Sequence, residues 1–323
     1  MQYKSVAKSA AILLILTCVL VPLCSCKQAV STSGSGKLKI ITTIFPLYDW
    51  ALNIAGDNAE IEMLVDNGID PHSFQPSVDD IVAVSDCDLL IFVGGQSDSW
   101  LRESLESLKS KNIENIDIFT LLGKEIKQEE TVSGMQSEED DDEAEEFDEH
   151  VWLSLKFAEK ICDYIAEKLA EIDPDNSGVY YSNAAAYTEK LAKLDKDYFQ
   201  TISSAANNVL LFADRFPFRY LTDDYGIEYY AAFPGCSAET EASFETLMFL
   251  INKTDELGLK YILQTETSDG SLAQTVKNGS KTKDQSIITL NSLQTVTYRQ
   301  AADGTTYLSC MEQNLEIIKK ALN

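Results

Sequence analysis

The sequence predicts an α/β protein of two similar lobes, each a parallel sheet flanked by helices, joined by a long rigid helix. Three observations carry that reading. Short β-branched runs alternate with helix-like stretches, the pattern of parallel strands linked by helical crossovers. Four strand runs precede residue 154 and four follow residue 206. The stretch between them holds two long helical patterns and no strand run.

The first lobe carries strand runs near 38–43, 61–65, 89–93 and 115–119, with helix-like stretches over 78–85 and 100–109. The interruption opens with 155–171, where Phe157, Ile161, Ile165 and Leu169 fall at near-helical spacing. Asp173-Pro174-Asp175-Asn176 then punctuates the chain. Residues 177–206 run on without proline, carrying Tyr180, Ala184, Tyr187, Leu191, Leu194 and Tyr198. As one helix this segment is about 45 Å long, enough to cross a domain and serve as a strut. The second lobe carries strand runs near 209–213, 228–233, 260–265 and 287–290, with helices over 241–257 and 272–278. The domain reading is an N-terminal lobe over 38–153, a helical linker over 154–206 and a C-terminal lobe over 207–323.

Residues 1–25 read as an export signal. Lys4 and Lys8 give a positive start, and the mostly apolar residues 10–23 follow. That run is shorter than the roughly 20 residues of a permanent membrane helix. Leu23-Cys24-Ser25-Cys26 resembles a bacterial lipobox. Cys26, behind small Ser25, is a better acylation site than Cys24 behind bulky Leu23; ordinary cleavage and secretion is the alternative. Two or more acyl chains anchor stably where one does not. That places the protein on the outer face of the cytoplasmic membrane, lipid-anchored at the cell surface. Residues 26–37, rich in Ser and Gly, read as a flexible tether.

The net charge of −26 argues against nucleic acid and anionic lipid as partners and favours attraction of cations. Losing Lys4 and Lys8 with the signal makes the exported chain two charges more negative. The acids concentrate in 136–149, which reads as a solvated loop or as a funnel gathering cations at a site mouth. Beyond the signal and Cys26, the cysteines are Cys87, Cys162, Cys236 and Cys310. Four scattered cysteines in a chain this long are no disulfide framework. Cys87 reads as core, and a Cys236–Cys310 bridge is left open.

The chain has two histidines, each beside carboxylates: Asp70-Pro71-His72 and Asp148-Glu149-His150. Imidazoles so placed suit metal ligation or proton transfer. In open parallel sheets ligands bind beyond the carboxyl ends of the strands. His72 follows the second strand run by a loop. Asp214, Glu266 and Asn291 stand at the ends of the 209–213, 260–265 and 287–290 runs, and His150 enters from between the lobes. Two imidazoles with oxygen donors suit a divalent transition metal.

These residues resemble a known family, the zinc- and manganese-specific solute-binding lipoproteins of bacterial ABC importers (cluster A-I type). The resemblance rests on Thr43-Ile44-Phe45-Pro46-Leu47, Asp70-Pro71-His72 with Gln75-Pro76-Ser77, and His150-Val151-Trp152-Leu153-Ser154. Asn183 in the long helix, Asp224-Tyr225-Gly226-Ile227 and Thr240-Glu241-Ala242-Ser243 add to it. It implies a metal held at the lobe interface, little hinge motion, and an ABC permease and its ATPase as partners of a monomer. His72 and His150 match the family's first two metal-binding histidines. The third position falls on Arg215, which cannot ligate. Asp214 is the substitute if its loop turns it inward; otherwise it pairs with Arg215 or caps the next segment. The family's last ligand, an aspartate, matches Asn291. Glu266 matches a carboxylate that ligates or orients a histidine. The implied cargo is Zn²⁺, with Mn²⁺ or Fe²⁺ as alternatives. A metallohydrolase is disfavoured by the lack of a His-Glu-x-x-His motif. A surface adhesin with a degenerate metal site is the rival, given Arg215 and Asn291.

Overall fold

Strand and helix alternate through the chain to build two sheets. The computed structural model describes residues 36–66, 68–107, 113–136, 147–237 and 241–323. The export signal, Cys26, the tether up to residue 35 and most of the acidic tract lie outside them. In the first half β1 (Leu38–Thr42), α1 (Phe45–Ala55), β2 (Ala59–Met63), α2 (Val78–Asp86), β3 (Leu89–Phe92), α3 (Ser99–Ser107), β4 (Glu114–Asp117) and α4 (Ile118–Leu122) follow one another. Helices α5 (Leu155–Ile172) and α6 (Ser177–Ser203) form the middle. The second half is β5 (Val209–Phe216), α7 (Arg219–Tyr225), β6 (Glu228–Pro234), α8 (Phe244–Glu256), β7 (Tyr261–Thr265), α9 (Ser271–Gly279), β8 (Ser286–Leu290), α10 (Tyr298–Ala302) and α11 (Tyr307–Ala321).

Each sheet has four parallel strands, in the orders β2-β1-β3-β4 and β6-β5-β7-β8. These are the same order, so the two lobes repeat one topology. All eight expected strands are present, with shifted ends. β2 begins two residues early because Ala59-Glu60-Ile61-Glu62-Met63 alternates across an edge strand, where charge is tolerated. β4 stops at Asp117, whose side chain accepts the Thr120 N–H and starts α4.

Strand alternation explains the layering. In β1 Ile40 joins a large core that runs through both lobes, while Ile41 joins a smaller one with Val84 and Leu101 behind sheet one. In β5 Leu210 and Phe212 face the large core, while Leu211 and Ala213 pack with Leu250, Ile251 and Val276 behind sheet two. Both faces of each sheet are therefore buried, as parallel sheets require. Lys37–Asn323 forms one compact unit, and every core residue described lies within it.

Helix α6 spans 27 residues, about 40 Å at the usual rise. Its buried stripe is Tyr180, Ala184, Tyr187, Leu191, Leu194, Tyr198 and Ile202, at three- and four-residue steps. Near its start Asn183 Nδ2 donates to Ile54 O (3.0 Å) and Tyr187 OH to Asp49 Oδ2 (2.9 Å) on α1. Near its end Tyr198 OH donates to Met311 O on α11 (2.7 Å). Each such hydrogen bond is worth about 1 kcal/mol net, whereas each large buried side chain contributes about 1.5–3 kcal/mol. Packing holds the strut and the hydrogen bonds set its register. This continuous core, shared by α1, α5, α6 and α11, packs both sheets against common helices.

Candidate metal centre

Two short turns present the imidazoles. At Asp70-Pro71-His72, Pro71 opens a 3₁₀ turn (Pro71–Ser73) and the Asp70 carboxylate accepts the His72 N–H at 3.1 Å. The carboxylate thus fixes the backbone that carries the ring. His72 Nδ1 meets Ser97 Oγ at 2.9 Å, and the Ser97 N–H donates to Glu149 Oε1 at 3.0 Å. Gly95 makes that approach feasible, since a Cβ there would lie 2.3 Å from Glu149 Cδ. His150 precedes the 3₁₀ turn Val151–Leu153, and both its N–H and its Nδ1 reach Asp148 Oδ1 at 2.8 Å. Trp152 Nε1 donates to Ser292 O (2.8 Å), pinning this turn to the second lobe.

With a proton on each Nδ1, the two Nε2 lone pairs remain. Both Nε2 atoms are buried and have no hydrogen-bond partner. The ring centroids lie 5.6 Å apart. Burial pushes the His72 pKa down and neighbouring His150 adds to the effect. Burial alone would do the same to His150, but the Asp148 carboxylate and its hydrogen bond pull it above the usual value. A histidine oriented through one nitrogen by a carboxylate, with the other left free, is the arrangement that metal-ligating histidines take. Asp148 and Glu149, read in the sequence as the tail of a solvated acidic tract, are buried and position the two rings.

A third donor converges on them. His72, His150 and Cys236 each offer a ligand atom, and these atoms lie within 4.8 Å of one another. Cys236 and Cys310 are free thiols, so the bridge left open by the sequence is not formed; Cys310 lies in the large core instead. Cys87 is buried in the core behind sheet one, as expected. Cys236 follows the carboxyl end of β6, the location from which His72 and the other candidates were drawn. That rule was enough to find it, had its sulfur been considered as a ligand as well as a bridge partner.

A family model described as "ZnuA: Zinc-uptake complex component A periplasmic" matches residues 40–321. The chain belongs to the ZnuA family. It is 32% identical over 296 residues to the zinc-binding lipoprotein AdcA of Streptococcus pneumoniae, covering 89% of this chain and 56% of AdcA. The chain thus spans little more than half the length of that relative. It is 28% identical over 305 residues to the high-affinity zinc uptake system protein ZnuA of Bacillus subtilis, covering 90% of this chain and 91% of that protein. The solved Zn(II)-bound ZnuA-like domain of S. pneumoniae AdcA superposes with a TM-score of 0.71 at 30% identity, covering 89% of this chain and 99% of that one.

At the positions the ZnuA-type resemblance assigned to the second lobe, the side chains are committed elsewhere. Asp214 is not among the converging donors. Its Oδ1 accepts the Arg215 N–H (2.8 Å) and its Oδ2 accepts Thr265 N and Thr265 Oγ1 (both 2.7 Å). It sits where the β5–β6 register slips between Phe212 and Arg215, and its carboxylate stitches β5 to β7 there. Glu266 accepts Ser292 N (2.7 Å) and Ser292 Oγ (2.6 Å), so it braces the loop after β8 and orients neither histidine. Burial raises its pKa, against the hydrogen bonds from Ser292. Asn291 Oδ1 accepts the Leu293 N–H (2.7 Å), and its backbone is clasped by the Asn314 amide. Arg215 itself pairs with Asp70 Oδ2 (2.7 Å) and donates to Ser237 O (3.2 Å), tying a loop of each lobe together. Burial would raise the Asp70 pKa, but the Arg215 guanidinium holds it below the usual carboxylate range.

Proposed function

We propose that this chain is the extracytoplasmic capture protein of a zinc importer, binding one divalent cation between its lobes and delivering it to an ABC permease driven by its ATPase. The carrying observation is the pair of buried, unpartnered Nε2 atoms on His72 and His150, each aimed by a hydrogen bond at its other nitrogen. Membership of the ZnuA family and the zinc named for its relatives supply the cargo and the transport context. Affinity order at a nitrogen-bearing site favours zinc over manganese and iron(II). Acylation at Cys26 keeps the protein on the outer membrane face, near its permease. The shared core supports a mode in which loops at the lobe boundary admit and release the ion while the sheets stay together. A degenerate site has little to recommend it when three donors converge so closely.

Calorimetric titration of residues 37–323 with zinc, then manganese, tests this reading. One-to-one zinc binding, lost in His72→Ala and in His150→Ala, is the expected result, with manganese far weaker. Equal zinc affinity in both variants sinks the site, and no binding by the parent protein sinks the function.

A further inference from the structure

We propose that Cys236 is the third protein ligand, so that the ion is held by two imidazole nitrogens and one thiolate, and that this donor set confines the cargo to thiophilic cations such as zinc. The proposal rests on the capture reading above and adds to it a ligand and a selectivity.

Geometry comes first. A tetrahedral zinc with bonds of 2.0–2.3 Å holds its donor atoms about 3.5 Å apart. His72, His150 and Cys236 place theirs within 4.8 Å before any adjustment to an ion. Closing that gap takes side-chain movement of about 1 Å and no movement of a sheet. The backbone on both sides of the thiol is fixed. The Cys236 N–H donates to Glu129 Oε1 at 2.8 Å, and the Ser237 carbonyl accepts from Arg215.

Gly235 is what lets this turn lie against the ring. A Cβ there would sit 2.9 Å from Phe216 O and 3.0 Å from His150 Cε1. Any side chain at 235 would push the turn off His150 and take the sulfur with it. The candidate oxygen donors Asp214, Glu266 and Asn291, meanwhile, accept hydrogen bonds from Thr265, Ser292 and Leu293.

On binding, a metal–sulfur bond forms, the S–H bond breaks, and its proton leaves to solvent. The imidazoles bind as neutral ligands. Three protein ligands leave a fourth tetrahedral position for water or for an exchanging group of the permease. Thiolate and imidazole suit zinc, whereas manganese prefers carboxylate, carbonyl and water. Arg215, held by Asp70, also sets a fixed positive charge at the lobe boundary, which suits a site whose own ligand is anionic.

Cobalt(II) reads the ligand directly, because a thiolate bound to it gives a near-ultraviolet charge-transfer band that nitrogen and oxygen ligands do not. Residues 37–323 are titrated with cobalt chloride under a non-chelating reductant, then challenged with zinc or manganese. The expected result is a charge-transfer band that saturates at one cobalt per chain, is abolished by zinc and survives manganese. Cys236→Ser removes the band and weakens zinc binding at least tenfold, and Gly235→Ala weakens both. Cobalt binding that His72→Ala abolishes but that shows no charge-transfer band overturns the Cys236 assignment and leaves the capture reading standing. Failure of cobalt and zinc to bind at all removes both. The parent spectrum decides the matter even where a variant fails to fold.

Discussion

The two lobes share one strand order and yet use their strand ends in opposite ways. In the first lobe the loops after β2 and β3 and the turn before α5 aim polar atoms inward, with Asp148, Glu149 and Ser97 holding the rings of His72 and His150 in place. In the second lobe the carboxylates of Asp214, inside β5, and Glu266, just after β7, are taken up by donors of their own lobe. Asp214 takes three hydrogen bonds and Glu266 at least two, each from a backbone or hydroxyl donor nearby. Topology therefore sets where a strand-end residue stands. Whether it is free to bind a ligand depends on which unpaired donors surround it, because a buried carboxylate without them costs several kcal/mol. Among the described residues, the second-lobe side chain that converges on the two histidines is a thiol, which tolerates burial without such partners.

Loss of a residue that positions a ring has the largest effect this contrast predicts. Asp148→Ala leaves His150 without its orienting acceptor, and zinc affinity falls about 10–100-fold, measured by competition with a chromophoric chelator. An unchanged affinity would mean the ring is held by packing alone, and the contrast between lobes would collapse.

A smaller and opposite signature belongs to Asp214→Ala. Three donors lose their acceptor, so unfolding free energy drops by about 1–3 kcal/mol in urea titration, while zinc affinity stays as in the parent. A protein that keeps its stability and loses zinc would restore Asp214 as a ligand.

The shared core provides the smallest effect, as a control outside either set of loops. Burial lifts the Asp49 pKa to about 6, against the hydrogen bond from Tyr187. The folded carboxyl keeps a proton that the unfolded chain has released, so its contribution is full below about pH 4 and is lost as pH rises through about 6. Between pH 5 and pH 7 the parent should lose about 1 kcal/mol of stability that Asp49→Asn retains. Parallel stability–pH curves for the two proteins would show that Asp49 titrates as in the unfolded chain.

Much of the architecture was legible in the chain. Eight strand runs and the long α6 stripe reflect periodicities of 2 and 3.6, and burial enforces both. Helix α1 was not singled out, because nearly all of its residues are buried and it shows no polar face to reveal the period. The ends of β4 and α8 moved by a few residues because local caps decided them, as where Ser243 Oγ accepts the Thr246 N–H to start α8.

The site divides along the same line. The sequence by itself determined the fold class, the strand order's raw material and the choice of His72 and His150 as candidates, since both sit in short turns whose carboxylates lie within two residues. Those contacts are local, and local chemistry is readable in a string. Only the tertiary structure decided the rest. Asp214 meets Thr265 51 residues away, Glu266 meets Ser292 26 residues away, and Arg215 crosses the lobes to Asp70. Cys236 lies far from both histidines in sequence and beside them in space. Which polar groups are satisfied and which are left unpartnered is a property of packing between distant segments, which a strand-end position alone does not reveal.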